Sequence, residues 1–176
     1  GPRDRLGDGV EGRGLGPALH AYPLDPVRKL VHIGHANRSP WVQKRRSPKG
    51  VDNRYLASIV ALNADTGAYV WHYQESPGDN TDYTSTQPMI LADIKVNGKA
   101  RKVILHAPKN GFFFVVDRTN GQFISAKNFV AVNWATGYDA KGRPMELEGG
   151  RGPAPPDPCP VPYGAHNRPP RTFHPL

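Results

Sequence analysis

Three short polar segments carry side chains with reactive or metal-binding chemistry, and each follows an apolar, β-rich run. They are Gly34-His35-Ala36-Asn37-Arg38-Ser39-Pro40-Trp41, Ser76-Pro77-Gly78-Asp79-Asn80-Thr81-Asp82-Tyr83-Thr84 and Ala107-Pro108-Lys109-Asn110-Gly111-Phe112-Phe113. An amide oxygen such as that of Asn37 is a hard, neutral donor suited to Ca²⁺. A carboxylate such as that of Asp82 serves as a proton acceptor, and an ammonium such as that of Lys109 stabilises developing negative charge. Singly, each has an ordinary reading: Asn37 as a turn residue tolerating the left-handed region, Asp82 as a solvated turn, Lys109 as a surface lysine in a Lys-Asn-Gly turn. What sets them apart is the framework around them.

That framework is β-rich from about residue 58 to residue 129. Ser58-Ile59-Val60-Ala61-Leu62, the turn Asp65-Thr66-Gly67 and Tyr69-Val70-Trp71-His72-Tyr73 predict a hairpin. Met89-Ile90-Leu91-Ala92-Asp93-Ile94 and Lys102-Val103-Ile104-Leu105-His106 flank Asn97-Gly98, the dipeptide best suited to a tight hairpin turn. Phe112-Phe113-Phe114-Val115-Val116, the turn Arg118-Thr119-Asn120-Gly121 and Gln122-Phe123-Ile124-Ser125 follow. Four such strands over residues 89–129 make one propeller blade, and the hairpin before them is the outer half of another. Lys29-Leu30-Val31-His32-Ile33-Gly34 reads as an inner strand of that earlier blade.

One motif recurs within this region. Ala61-x-Asn63-x-x-Thr66-Gly67-x-x-x-Trp71 returns 54 residues later, weakened, as Val115-x-Asp117-x-x-Asn120-Gly121-x-x-x-Ser125. A fixed period of this kind marks stacked β units that cover one another's faces. The first copy resembles the tryptophan docking motif of the pyrroloquinoline quinone (PQQ) dependent alcohol dehydrogenases, the methanol and ethanol dehydrogenase family. The resemblance runs with interruptions over about residues 22–147 and 162–175 and is strongest over 58–138. It implies an all-β fold: a partial β-propeller, two to three blades of an eight-bladed quinoprotein ring, with irregular termini. Residues 1–21 then form an irregular or disordered lead, 22–147 the partial propeller, and 148–176 a Pro-rich segment holding nine of the 19 prolines.

The resemblance also assigns roles. The segment around Asn37 is similar to the family's Gly-Thr-Gly-Asn-Gly-Ser-Pro-Trp, whose Asn ligates the metal beside PQQ. The segment around Asp82 looks like Thr-Pro-Gly-x-x-Trp-Asp-Tyr, whose Asp is the proposed general base and lies at the metal; the carry-over lands on Asp82, not Asp79. In Ala107-Pro108-Lys109-Asn110-Gly111 the Lys is the one that reaches the quinone oxygens. Gly164-Ala165-His166-Asn167 makes Asn167 a candidate PQQ contact and leaves His166 structural. Lanthanide-using relatives carry an extra Asp where Thr84 stands, so Ca²⁺ is the metal implied. The resemblance further implies a small primary alcohol as substrate, a cytochrome c acceptor and a periplasmic location.

Three aromatic positions of the family's pocket have changed, to Leu19, Thr81 and Arg168, and His35, Ala36 and Arg38 replace a threonine and two glycines. The family's Glu metal ligand and vicinal disulfide would lie upstream of residue 1. With 176 residues against a propeller several times longer, the chain reads as an internal fragment, inactive alone. A non-catalytic propeller segment, acting as scaffold or binding surface, stands as the second reading.

Charge and cysteine usage narrow the alternatives. The net charge of +8 invites nucleic acid, yet residues 51–150 carry ten Lys/Arg against ten Asp/Glu, so the excess lies outside the centre. The one basic cluster, Lys44-Arg45-Arg46, reads as a solvated loop rather than a nucleic-acid site. Cys159 is the only cysteine and reads as an unreactive loop residue. No apolar run approaches the roughly 20 residues of a membrane helix, and Gly1-Pro2-Arg3-Asp4 begins no visible secretory signal.

Overall fold

The computed structural model describes residues 22–150, 157–167 and 169–174. Ten strands and one short helix follow in order: β1 (Leu24–Asp25), β2 (Leu30–Gly34), α1 (Gln43–Arg46), β3 (Ser58–Asn63), β4 (Tyr69–Gln74), β5 (Ile90–Val96), β6 (Lys99–His106), β7 (Phe112–Asp117), β8 (Phe123–Asn128), β9 (Ala135–Tyr138) and β10 (Pro144–Glu146). They make two four-stranded antiparallel sheets, β1-β2-β3-β4 and β5-β6-β7-β8, and a β9–β10 hairpin. The blade expected at 89–129 is the second sheet, and the hairpin expected at 58–73 is the outer half of the first. No helix among the described residues is long and apolar enough to cross a membrane.

The repeat has a structural meaning that its letters only hinted at. Both third strands carry a register shift at the equivalent place, between Ala61 and Leu62 and between Val115 and Val116. Both then turn on a side-chain acceptor: Asn63 Oδ1 takes the N–H groups of Asp65 and Thr66 (2.9 Å each), and Asp117 Oδ1 takes that of Thr119 (2.9 Å). An Asx side chain closing its own turn is the reason Asn or Asp heads each copy. At the other hairpin, Asn97 (φ 49°) and Gly98 (φ 76°) occupy the left-handed region that the turn requires.

Strand alternation puts one apolar set on each face of the second sheet. Ile104, Phe112, Phe114 and Val116 join Ile59, Ala61, Trp71 and Tyr73 of the first sheet in a core closed by Met89, Tyr83 and Trp134. Val103 and Leu105 face the other way with Ala92, against the partly buried Ile90, Ile94, Phe113, Val115 and Ile124. The continuous run Phe112-Phe113-Phe114-Val115-Val116 is therefore a strand with two apolar faces, as a blade between two neighbours needs.

The two sheets are locked by the first copy of the motif. Trp71 lies so close to Gly121 that a Cβ there would come within 2.6 Å of the indole, and its ring centroid is 5.5 Å from that of His32. Arg118, beside that turn, donates from Nε to Asp25 Oδ2 (2.8 Å) and from Nη1 to Ala92 O (2.7 Å) and Asp93 Oδ1 (2.6 Å). An aromatic plate and a buried guanidinium thus fix the relative placement of the sheets.

The structure changes one sequence expectation and adds an element that none covered. The basic cluster is not a solvated loop throughout: Lys44 and Arg45 are exposed, but Arg46 is buried at the end of α1, where backbone carbonyls take up its donors. The β9–β10 hairpin went unforeseen, because Gly137, Pro144 and a charged turn hide its alternation. The residues called 1–21, Leu19 among them, lie outside the described residues, as does Arg168; among the described residues of 157–174 there is no strand.

Candidate cofactor and metal site

The three polar segments connect consecutive elements: 35–57 joins β2 to β3, 75–89 joins β4 to β5, and 107–111 joins β6 to β7. They meet. His35 donates its N–H to Ser58 O (2.8 Å) and accepts that of Ser85 (3.0 Å), tying the first segment to the second. Only glycine fits at the start of this contact, since a Cβ on Gly34 would lie 1.9 Å from Ser85 O. Lys109 Nζ then reaches the second segment, donating to Asp82 Oδ2 (3.1 Å) and Asp82 O (3.2 Å).

Asp82 sits at φ 64°, a left-handed conformation uncommon for a residue other than glycine. Burial pushes its carboxyl above the ordinary carboxylate range, against the opposing pull of the Lys109 charge and hydrogen bond. A carboxylate so placed is readier to take up a proton than a solvated one. Side-chain exposure is 21% for Asp82 and 10% for Lys109, so the ion pair is largely withdrawn from solvent.

Asn37 is buried, and its amide is used at both ends. Nδ2 donates to Asp79 Oδ2, and Oδ1 accepts the N–H of Arg38 (2.7 Å), which leaves that oxygen one further lone pair. Asp79 Oδ1 accepts the N–H of Thr81 (3.0 Å) and Oδ2 that of Tyr83 (2.7 Å), the residues on either side of Asp82. Arg46 grips the same region: Nε donates to Asn53 Oδ1 (3.0 Å), Nη1 to Pro40 O (2.9 Å) and Trp41 O (2.8 Å), and Nη2 to Asp79 O (2.8 Å).

The Lys109 segment is held as tightly. His106, three residues earlier, is fully buried between Glu75 Oε1 (2.7 Å) and Gln87 O (3.0 Å). Asn110 donates to Ser76 Oγ (3.1 Å), accepts the N–H of Phe112 (3.0 Å), and receives the Trp134 indole N–H on its carbonyl (2.9 Å). Ala165 N–H donates to Lys109 O (3.0 Å), and the His166 imidazole spans Ala107 O and Pro169 O (2.7 Å each), so His166 has the structural place expected of it. Asn167, half-buried, follows on this crossing segment.

The sequence-predicted Asp82 and Lys109 are in direct contact, and Asn37 is joined to the Asp82 loop through Asp79. Asn37 and Asp82 both offer oxygen, the donor type of Ca²⁺. Among the described residues no cluster of three or more His, Cys, Asp or Glu exists, so these side chains fit as part of a shell of six to eight oxygens and not as the whole. Thr84, buried, spends its hydroxyl on Gln87 Nε2 (3.3 Å) and adds no charge. Thr81 is also buried. Sequence reasoning passed over Asp79, Arg46 and the Glu75–His106 pair; the only available signal was Asp79 in a Pro-Gly-Asp-Asn turn.

Residues 20–135 match the family described as glucose/ethanol/alcohol dehydrogenase, β-propeller domain, of the PQQ type. The chain is 62% identical over 173 residues to the quinohemoprotein alcohol dehydrogenase of Comamonas testosteroni, covering 98% of this chain and 24% of that protein. It is 70% identical over 144 residues to the 1-butanol dehydrogenase (cytochrome c) of Thauera butanivorans, covering 80% and 21%. The crystal structure of the Comamonas testosteroni enzyme superposes with a TM-score of 0.89 at 64% identity, over 92% of this chain and 24% of that one. The chain thus spans about a quarter of the length of these relatives. The pair of docked four-stranded blades is the local form of that match, and the chain belongs to the PQQ-dependent alcohol dehydrogenase β-propeller family.

Proposed function

We propose that this chain carries the proton-accepting and part of the metal-binding side of a PQQ- and Ca²⁺-dependent alcohol dehydrogenase that oxidises a small primary alcohol to an aldehyde. The observation that supports it most is the contact of Lys109 with Asp82, with Asn37 tied to the same loop. When bound, PQQ supplies the hydride acceptor and Ca²⁺ a Lewis acid that polarises it. Asp82 takes the hydroxyl proton, and its partial burial limits the access of bulk water to it. Lys109 holds the Asp82 carboxylate in place and puts a positive charge at the same spot, where it favours negative charge on a bound quinone. Asn37 and Asp82 would hold the metal, and Asn167 would touch PQQ. Thr84, adding no carboxylate, favours a divalent over a trivalent ion. The cytochrome c named for the Thauera butanivorans relative and a periplasmic location complete the reading.

A chimera in which this chain replaces the matching quarter of the Comamonas testosteroni enzyme tests it. Asp82→Asn should lower kcat by about 10²–10⁴-fold, the range of a general base, and Lys109→Met by about 10²–10³-fold, the range of one electrostatic donor. Wild-type rates in either variant would overturn the assigned roles. A folded chimera that binds no PQQ would leave the chain a scaffold segment.

A further inference from the structure

We propose that Asp79, which is itself assigned no contact with metal or substrate, is the positioning residue that sets both metal-facing side chains at once. The inference rests on the reading of Asn37 and Asp82 as metal ligands. Asp79 is 2% exposed, and one of its carboxylate oxygens faces the first ligand while both face the loop of the second. Oδ2 receives the amide of Asn37, which fixes the amide so that its nitrogen points at the carboxylate and its oxygen away from it. Oδ1 receives Thr81 N–H (3.0 Å) and Oδ2 receives Tyr83 N–H (2.7 Å), so the peptide is pinned immediately before and after Asp82. Asp82 lies at φ 64°, where an L-residue is held only by its surroundings, and these two bonds act beside those that Thr84 N–H (2.9 Å) and Lys109 Nζ (3.2 Å) make to its own carbonyl. Arg46 completes the fixture by donating to Asp79 O (2.8 Å), so that carboxylate and carbonyl of one residue are both anchored.

The chemistry needs a carboxylate there. It is acceptor-only, so it can take three N–H groups on two oxygens, whereas an amide at the same place would turn a donor on one of them. Replacing Asp79 by Asn sets its NH₂ against either the Asn37 NH₂ together with the Tyr83 N–H, or the Thr81 N–H; one ligand amide rotates or the Asp82 loop loosens. Outer partners of metal ligands act in this way, and their loss typically costs 10–100-fold in metal affinity.

The test uses the chimera described above, saturated with PQQ, and reads Ca²⁺ affinity by titration calorimetry with Ca²⁺ alone as the probe. Asp79→Asn should raise the Ca²⁺ Kd by about 10–100-fold and lower kcat with little change in KM for the alcohol. The deciding measurement is the same substitution made on an Asn37→Asp background. There, Asp79 faces a second carboxylate, and D79N restores a donor to it; Ca²⁺ affinity should therefore improve instead of worsen. A residue that merely supports the fold would give the same loss on both backgrounds, which would overturn the proposal. An unchanged Kd in the D79N single variant would overturn it as well. If D79N alone fails to fold, the N37D and N37D/D79N pair decides. No Ca²⁺ binding by the parent chimera would reject the metal reading of Asn37 and Asp82, and this proposal with it; binding by the parent with no sign reversal would reject the positioning role alone.

Discussion

At the scale of single residues, Arg46 shows how much of this site is held by groups that perform no chemistry. Its guanidinium is buried, and its donors go to an amide oxygen and to backbone carbonyls of Pro40, Trp41 and Asp79. A planar fork can satisfy that many acceptors at once, and an ammonium cannot. Arg46→Lys should therefore cost about 2–4 kcal/mol by urea denaturation, because carbonyls are left buried without partners; a loss under about 0.5 kcal/mol would show that water replaces it. Arg46 stands in a basic run whose neighbours Lys44 and Arg45 are exposed, and a string of like residues carries no mark of which one turns inward. That the segments of Asn37, Asp82 and Lys109 meet was legible for the opposite reason. Each sits in a short word of fixed spacing after a strand, and loops at the ends of docked strands can only go to one place. Asp79 lay in the same word as Asp82, and its bonds to Thr81 and Tyr83 are local; its bond to Asn37, 42 residues away, is set by three-dimensional proximity and stayed hidden.

At the scale of elements, the docking of one blade on the next rests on two contacts that can be tested separately. Trp71 is 6% exposed and covers Gly121, and its indole nitrogen has no hydrogen-bond partner among the described residues. Trp71→Ala should cost about 3–5 kcal/mol, while Trp71→Phe, which gives up no hydrogen bond, should cost about half as much or less; equal losses in thermal unfolding would contradict the packing account. The second contact is electrostatic. Burial raises the Asp25 carboxyl, but the Arg118 hydrogen bond, the Arg28 N–H and both guanidinium charges outweigh it and hold Asp25 at about 2 against an ordinary 3.8. A pKa lowered on folding gives stability that is complete above about pH 4 and disappears as pH falls towards 2; the shift corresponds to about 2 kcal/mol. Asp25→Asn should remove that amount at neutral pH and flatten the stability–pH curve between 4 and 2. An unchanged acid limb would assign acid sensitivity elsewhere. The Trp71 contact could be read in advance from the repeat. Asp25–Arg118 could not, because 93 residues separate two groups with no motif between them.

At the scale of the whole molecule, the second sheet presents two apolar faces and the described residues fill one of them. Phe113, Val115, Ile90, Ile94 and Ile124 remain partly buried on the other, the face a further blade would cover. Repeat architectures gain stability from neighbour contacts, so this chain should unfold at a lower temperature alone than within the chimera; the same Tm in both would mean that its two blades are self-sufficient. The strand content and blade pairing were legible because a period of 54 residues and alternating apolar positions constrain sheets strongly. The β9–β10 hairpin was not, because its burial comes from Trp134 and Tyr138 packing on Phe112 and Phe114 of the preceding blade rather than from its own alternation.

In the proposed function, Asn37, Asp82 and Lys109 of this chain face one metal–quinone site. The most direct measurement is a crystal structure of the chimera grown with PQQ and Ca²⁺, with the ion located by its anomalous scattering. The account predicts an ion about 2.3–2.6 Å from Asn37 Oδ1 and the Asp82 carboxylate, with Lys109 Nζ within hydrogen-bonding reach of a quinone oxygen. An ion bound with Asn37 Oδ1 and Asp82 both outside its shell, or PQQ seated away from Lys109, would contradict it.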